Sequence, residues 1–211
     1  MNLDIQHLMR PGTLSLAGLP PLSLYVHLPW CLRKCPYCDF NSHEWKGEGD
    51  LPERAYLQAL RQDLEASLPL IWGRTVHTVF IGGGTPSVFS PAGIEQLLSD
   101  VRSLLRLTAS AEITLEANPG TVERDRFQAY REAGVTRLSV GVQSFHDPHL
   151  KALGRVHGRD QAMAALEEAR RCFPTFNLDL MYALPGQTLS QLQDDLDTAL
   201  SFQPPHLSIY H

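Results

Sequence analysis

Cysteine is scarce in this 211-residue chain: there are four, and three of them fall within eight consecutive residues. Three thiols so close cannot form an even set of disulfides, and such sparse, clustered usage suits a reducing cytoplasm. Long apolar runs are missing too, since none approaches the roughly 18 residues that a bilayer-spanning helix needs. The opening M-N-L-D-I-Q-H-L-M-R-P-G lacks the basic-then-apolar order of a secretion signal. There is no run of basic residues and the net charge is −5, which argues against nucleic acid or an acidic membrane surface as a partner. What remains is 43 % hydrophobic and 19 % charged, the composition of a soluble, intracellular globular protein with one sizeable core.

The clustered cysteines are Cys31, Cys35 and Cys38, spaced C-x3-C-x2-C within Tyr25–Phe40, Y-V-H-L-P-W-C-L-R-K-C-P-Y-C-D-F. That spacing suits a loop wrapped around a metal centre. A cubane iron–sulfur cluster normally takes four cysteines; with three, one iron keeps a position open for a small molecule. Two plainer readings stand beside this one: a Cys3His zinc knuckle completed by His43, or three unliganded surface thiols. Arg33 and Lys34 lie inside the loop, either offsetting a net-negative thiolate cluster or as simple surface charge.

Along the chain, residues 1–22 read as a loose leader with Pro11, Gly12, Gly18 and Pro20 and no periodicity, ahead of a core at 23–211. Ser23–Leu28 alternates with period two, a strand ended by Pro29. Leu57, Leu60, Leu64 and Leu68 follow at helical spacing, with Pro52 near the start. Further strands are expected at Val76–Ile81, Glu112–Ala117, Arg137–Val142, Phe176–Tyr182 and His206–Tyr210. Between them fall helices opened by Ser90-Pro91, running from about Val122 to Ala133 with Gly134 as the stop, near Gln161–Cys172, and from the Thr188/Gln191 capping box through Leu200. The alternation implies an α/β fold of right-handed βαβ units around a parallel sheet, a partial (β/α)6 barrel. A barrel strand without its covering helix is an unusual terminus, so an N-terminal fragment of a longer protein is expected.

In such barrels the chemistry lies in the loops at the C-terminal ends of the strands. The inward strand faces carry Tyr25 and His27, Thr114 and Glu116, Ser139 and Gln143, Asn177 and Asp179, Ser208 and Tyr210, where a packed core would show Val, Ile and Leu. Any one of these could be a hydrogen-bonded structural group; five strands together suggest a cavity for a polar ligand. Gly82-Gly83-Gly84-Thr85-Pro86 is neither a Walker loop nor a dinucleotide fingerprint. Its glycines either let backbone approach a ligand or merely form a tight turn.

The cysteine spacing resembles that of the radical S-adenosylmethionine (SAM) family. Six segments in order, Y-V-H-L-P-W-C, G-G-G-T-P, E-A-N-P-G-T, S-V-G-V-Q-S-F, L-G-R-V-H and N-L-D-L-M-Y-A-L-P-G-Q-T, resemble its coproporphyrinogen dehydrogenase and HemW branch over about 185 residues. The resemblance implies a [4Fe–4S] cluster on Cys31, Cys35 and Cys38 with SAM on the fourth iron. By position it places Tyr25 beside the methionine end of SAM and Gly83, Gly84 and Thr85 at its amino and carboxylate groups. Glu116, Gln143, Arg155 and Asp179 would hold its other polar groups, Arg155 gripping a carboxylate as a fork. His27 either touches substrate or cluster or is a satisfied interior histidine.

One position divides the branch. The resemblance to the dehydrogenase implies a fourth cysteine where this chain has Phe40, and the aromatic, like Trp30, follows the HemW pattern. That resemblance implies a haem-binding chaperone that passes haem to acceptor proteins, rather than an oxidative decarboxylase of coproporphyrinogen III. A zinc-stabilised binding module is a third reading. Cys172 shares the apolar stripe of its helix with Ala162, Ala165, Leu166 and Ala169 and reads as a core thiol. His146, His149 and His157 sit on one long connection, read as solvated although histidines can ligate haem iron. Arg170 and Arg171 suit a helix C-terminus.

Overall fold

A computed structural model describes residues 18–46, 51–120 and 124–211. Six strands form one sheet: β1 (Leu22–Leu28), β4 (Val76–Gly83), β5 (Leu107–Ala117), β6 (Arg137–Gln143), β7 (Thr175–Met181) and β8 (His206–Tyr210). They neighbour one another in that order and every pair is parallel, so β1 and β8 are the two edges. Helices α1 (Glu53–Ile71), α2 (Pro91–Leu104), α3 (Phe127–Ala133), α4 (Asp147–Ala152), α5 (Arg159–Cys172) and α6 (Leu189–Ser201) fill the crossovers. A two-residue ladder, β2 (Trp30–Cys31) with β3 (His43–Glu44), is added within the cysteine loop.

The alternation along each strand decides which face is dry. Val26, Leu28, Val79, Ile81, Ile113, Leu115, Leu138, Val140, Val142, Leu178 and Leu180 bury against the helices with Ile94, Leu98 and Leu166. Burying a side chain of this size is worth about 1.5–3 kcal/mol. The opposite face keeps the polar residues of the same strands, and the cysteine loop after β1 and Tyr210 on β8 line one cavity across it. The sheet must therefore curve enough to bring its two edges towards one another.

The helix starts follow their sequence signals. Ser90 Oγ accepts from the Gly93 N–H at 3.0 Å ahead of Pro91, and Thr188 Oγ1 accepts from the Gln191 N–H at 3.3 Å. Glu53, at the start of α1, accepts from both the Ser90 N–H (2.6 Å) and its hydroxyl (2.7 Å), joining two helix N-termini. Gly134 closes α3 with φ 108°, a left-handed turn that suits glycine.

Several boundaries differ from expectation, most by a residue or two. Of the helix expected from about Val122, residues 122–123 lie outside the described set and Arg124 is helical, but a turn interrupts it before α3 runs from Phe127. Asp125 and Arg126 form a turn, with the Arg126 guanidinium donating to the Val88 carbonyl at 3.1 Å. β5 starts at Leu107, ahead of Glu112, and β1 starts at Leu22. The first 17 residues of the expected leader lie outside the described residues. Among the described residues no helix is long and apolar enough to cross a membrane.

The histidines of the connection after β6 are less solvated than expected, although Asp147, Lys151 and Val156 of the same connection stay exposed. Short helix α4 is part of it, and His149 is 5 % and His157 4 % exposed, while His146 is half-buried. His157 Nε2 donates to the Val142 carbonyl at 3.1 Å, satisfying backbone at the end of β6. Burial, followed by the neighbouring Arg155 charge, lowers its pKa to about 4, so the ring is neutral near pH 7. Cys172 packs half-buried against the core and donates to a Glu168 carboxylate oxygen at 3.2 Å; burial and that contact push its thiol up to about 11.

Candidate functional site

The cysteine loop is closed by its own backbone. The His43 N–H donates to the Pro29 carbonyl at 2.8 Å and the Trp45 N–H to that of Cys31 at 2.9 Å. Lys34 is no idle surface charge: its ammonium donates to the carbonyls of Phe40 (3.2 Å) and Ser42 (2.9 Å). Thus folded, Cys31 is buried while Cys35 and Cys38 are half-buried, and all four cysteines of the chain are free thiols. Burial raises the Cys31 pKa against hydrogen bonds from Thr85 and Ser42 that lower it. The Cys38 sulfur lies 3.4 Å from Ser42 Oγ.

The glycine run meets this loop from β4. Gly83 has φ 124°, and a Cβ there would stand 2.8 Å from the Leu28 carbonyl oxygen. A Cβ on Gly84 would come within 2.6 Å of the Trp30 carbonyl oxygen and 2.7 Å of that of Pro29. Much of the demand for glycine therefore comes from the backbone of the cysteine strand itself. The Gly84 and Thr85 N–H groups bond to Leu28 and Trp30 carbonyls, both at 2.8 Å, and the Gly83 N–H donates to Glu116 Oε2 at 3.1 Å.

One cavity of about 570 Å³ gathers these parts. The three cysteines line it, as do Gly83, Gly84, Thr85, Glu116, Gln143, Arg155 and Asp179, all proposed from sequence. Tyr25 and His27 do not. The Tyr25 hydroxyl bonds to His27 Nδ1 at 3.0 Å while His27 Nε2 meets the Asn41 carbonyl at 2.8 Å, so both ring nitrogens are satisfied within the protein. The Tyr25 ring stacks on Phe80, and its hydroxyl pKa is raised by burial and by the nearby Glu116 carboxylate.

Electrostatics divides the cavity. Burial pushes the Glu116 carboxyl up to about 7, with the Gly83 N–H opposing and Asp179 adding to the rise. Asp179 is also raised by burial, but Ser139, Ser208 and Asn177 hydrogen bonds and the Arg137 charge resist it. On the thiol side, Arg155 donates to Cys35 Sγ at 3.6 Å, to the Gly141 carbonyl at 2.8 Å and to Asn118 Oδ1. Asn118 in turn donates to Thr85 Oγ1 at 3.0 Å, tying Arg155 to the glycine loop.

Sequence reasoning left Asn118, Tyr37 and Tyr210 without a ligand role. Asn118 sits in the quoted E-A-N-P-G-T segment, and its place just past a strand end was the available signal. Tyr37 is held against Arg155 and Cys35; burial pushes its hydroxyl up to about 12. The Tyr210 hydroxyl donates to Gln143 Oε1 at 2.7 Å.

The donor set fits a cluster better than a single ion. Among the described residues no three of His, Cys, Asp and Glu converge as one ion requires. A zinc knuckle needs four ligands at about 2.0–2.3 Å, whereas His43 lies outside the lining and turns Nε2 to Asn41 Oδ1 at 3.2 Å. A cubane gives each cysteine its own iron, so the thiols need only line a common space. Arg33 and Arg155 offer that space positive charge, and Arg155 Nε is buried there without a partner.

A parallel α/β sheet with three cysteines in the loop after its first strand, facing a polar cavity at the strand ends, defines a class of SAM-using iron–sulfur proteins. The chain belongs to the Radical SAM superfamily, whose profile matches residues 25–199. Membership implies a [4Fe–4S] cluster and SAM. It is 54 % identical over 193 residues to the haem chaperone HemW of Escherichia coli, covering 91 % of this chain and 50 % of the relative. The HemW of Haemophilus influenzae is 51 % identical, with 91 % and 51 % covered. Among solved structures, coproporphyrinogen III oxidase (HemN) from Escherichia coli superposes with a TM-score of 0.81 at 34 % identity, over 90 % of this chain and 44 % of that one. The chain thus spans about half the length of the curated relatives it matches.

Proposed function

We propose that this chain is the cluster- and SAM-holding part of a haem chaperone, which binds haem and passes it to acceptor proteins in the cytoplasm, where its free thiols stay reduced. The observation that carries this reading is Phe40. It lines the cavity mouth, 64 % exposed, at the place where the resemblance to the dehydrogenase implies a fourth cysteine. The identity of 54 % to a haem chaperone over nearly the whole chain supports it.

In this reading Cys31, Cys35 and Cys38 would hold the cluster, which would supply one-electron chemistry at bound SAM. The chain's own groups do the rest. Glu116 accepts from the SAM ammonium or ribose hydroxyls, and Asp179 accepts at the second polar end. Arg155, fixed by Asn118 and the Gly141 carbonyl, presents its remaining donors to a carboxylate. Gly83, Gly84 and Thr85 bring backbone close, and Gln143 offers its amide.

A second reading, oxygen-independent coproporphyrinogen III dehydrogenase, is favoured by the superposition on HemN. The full-length protein, reconstituted anaerobically to about four irons per chain, separates the two. Given SAM, reductant and coproporphyrinogen III, the chaperone reading expects no vinyl product but stoichiometric haem uptake. Vinyl product would install the dehydrogenase, and absence of haem binding would remove the chaperone.

A further inference from the structure

Asp195, on α6, is 0 % exposed and lies outside the cavity. Its oxygens accept from the Ser144 hydroxyl (3.1 and 2.9 Å), the Phe145 N–H (2.6 Å) and Gln187 Nε2 (3.4 Å). Among the described residues no lysine or arginine bridges it; the His146 imidazole stands 4.0 Å away. A buried carboxylate is costly unless its lone pairs are satisfied, so one placed here serves what it binds.

Its partners come from two different loops. Ser144 and Phe145 follow β6, in the S-V-G-V-Q-S-F segment; Gln187 follows β7, in L-P-G-Q-T, and its Oε1 also accepts from the Leu184 N–H at 3.2 Å. Left-handed backbone at a non-glycine residue occurs at each strand exit, at Gln143, the last residue of β6 (φ 72°), and at Ala183, two residues past β7 (φ 55°). Such conformations persist only where the surroundings over-determine them. Each loop begins directly after a strand-end residue that lines the cavity: Gln143 at the end of β6, whose amide oxygen accepts from Tyr210, and Met181 at the end of β7.

We infer that Asp195 is a positioning residue that locks the loops after β6 and β7 together and so holds Gln143 in its strained, cavity-facing pose. Its bearing on ligand affinity rests on the cavity being the SAM site proposed above. Ser144 and Gln187, motif residues that touch no ligand in that proposal, gain a function as the two arms of the lock.

The test uses the full-length, cluster-reconstituted protein and its Asp195→Asn variant, which keeps the side chain's size but turns one acceptor into a donor. Hydrogen exchange should quicken together in segments 141–146 and 182–187. SAM affinity by equilibrium dialysis should fall roughly tenfold to hundredfold, as for lost hydrogen bonds to a charged group, with iron content unchanged. Exchange unchanged, or quickened in only one loop, overturns the lock. Both loops loosened with SAM affinity intact leaves Asp195 merely structural and overturns its positioning role. If wild-type protein with an intact cluster takes up no SAM, the cofactor proposal fails and the exchange result alone decides the lock. Should Asp195→Asn not fold, Ser144→Ala, which deletes one donor, carries the same comparisons.

Discussion

Glu116 should control how the cavity meets a cation. Burial and Asp179 hold its carboxyl at about 7 against an ordinary 4.5, with only the Gly83 N–H opposing. At 1.36 kcal/mol per pH unit, the ionised form costs the folded protein about 3 kcal/mol. The folded state binds this proton more tightly than the unfolded state does. Its stabilising contribution is therefore complete below pH 4.5 and is lost as pH rises to about 7. Glu116→Gln keeps an oxygen for the Gly83 N–H and removes the titration. The variant should exceed the parent by about 2–3 kcal/mol near pH 8, a rise in Tm of roughly 4–12 °C, and match it near pH 5. Thermal unfolding of ligand-free parent and variant across that window measures the difference; parallel pH curves would refute the reasoning. A bound ammonium reverses the balance by favouring the carboxylate. Titrating SAM near pH 6.5 in buffers of differing ionisation enthalpy should then show proton release by the parent and none by Glu116→Gln; proton uptake would contradict the assigned role.

Gly84→Ala places a methyl within 2.6 Å of the Trp30 carbonyl oxygen, a backbone atom that cannot rotate away. We expect a loss of about 2 kcal/mol or more in stability and a lower iron yield on reconstitution, read by denaturant unfolding and iron assay. Asn118→Ala frees Arg155 and Thr85 from their shared bridge. SAM affinity should weaken about tenfold, one hydrogen bond to a charged group, while iron content holds; an unchanged affinity would show that Arg155 needs no such anchor. Phe40→Cys should leave iron per chain unchanged, since Cys31, Cys35 and Cys38 suffice as ligands. A rise in bound iron would identify position 40 as a ligand site.

Much of this protein is written in local pattern. The β strands announce themselves by alternation because a pleated backbone turns successive side chains to opposite faces, and the partition between dry Leu115 and wet Glu116 can be read without coordinates. The caps at Ser90 and Thr188 are equally local, since a side chain there has only its own first turn to satisfy. The cysteine spacing likewise points to a metal-binding loop, because eight residues of chain hold three thiols close together.

Contacts between distant segments were not legible. The histidines after β6 looked solvated on polarity alone; in the fold His149 and His157 are buried, and His157 satisfies the Val142 carbonyl. Gly84 reads as a ligand loop in sequence, yet its glycine is demanded by the Pro29 and Trp30 carbonyls, more than 50 residues earlier in the chain. Asn118 joins Thr85 to Arg155, and Asp195 reaches loops from two other strands, through bonds that no short window contains. The sequence by itself determined the elements, the faces and the thiol motif, because those follow from backbone period and side-chain chemistry within a few residues. The tertiary structure decided which polar groups share the cavity and how each is held, because hydrogen bonds and burial depend on chain segments brought together only when the sheet curves.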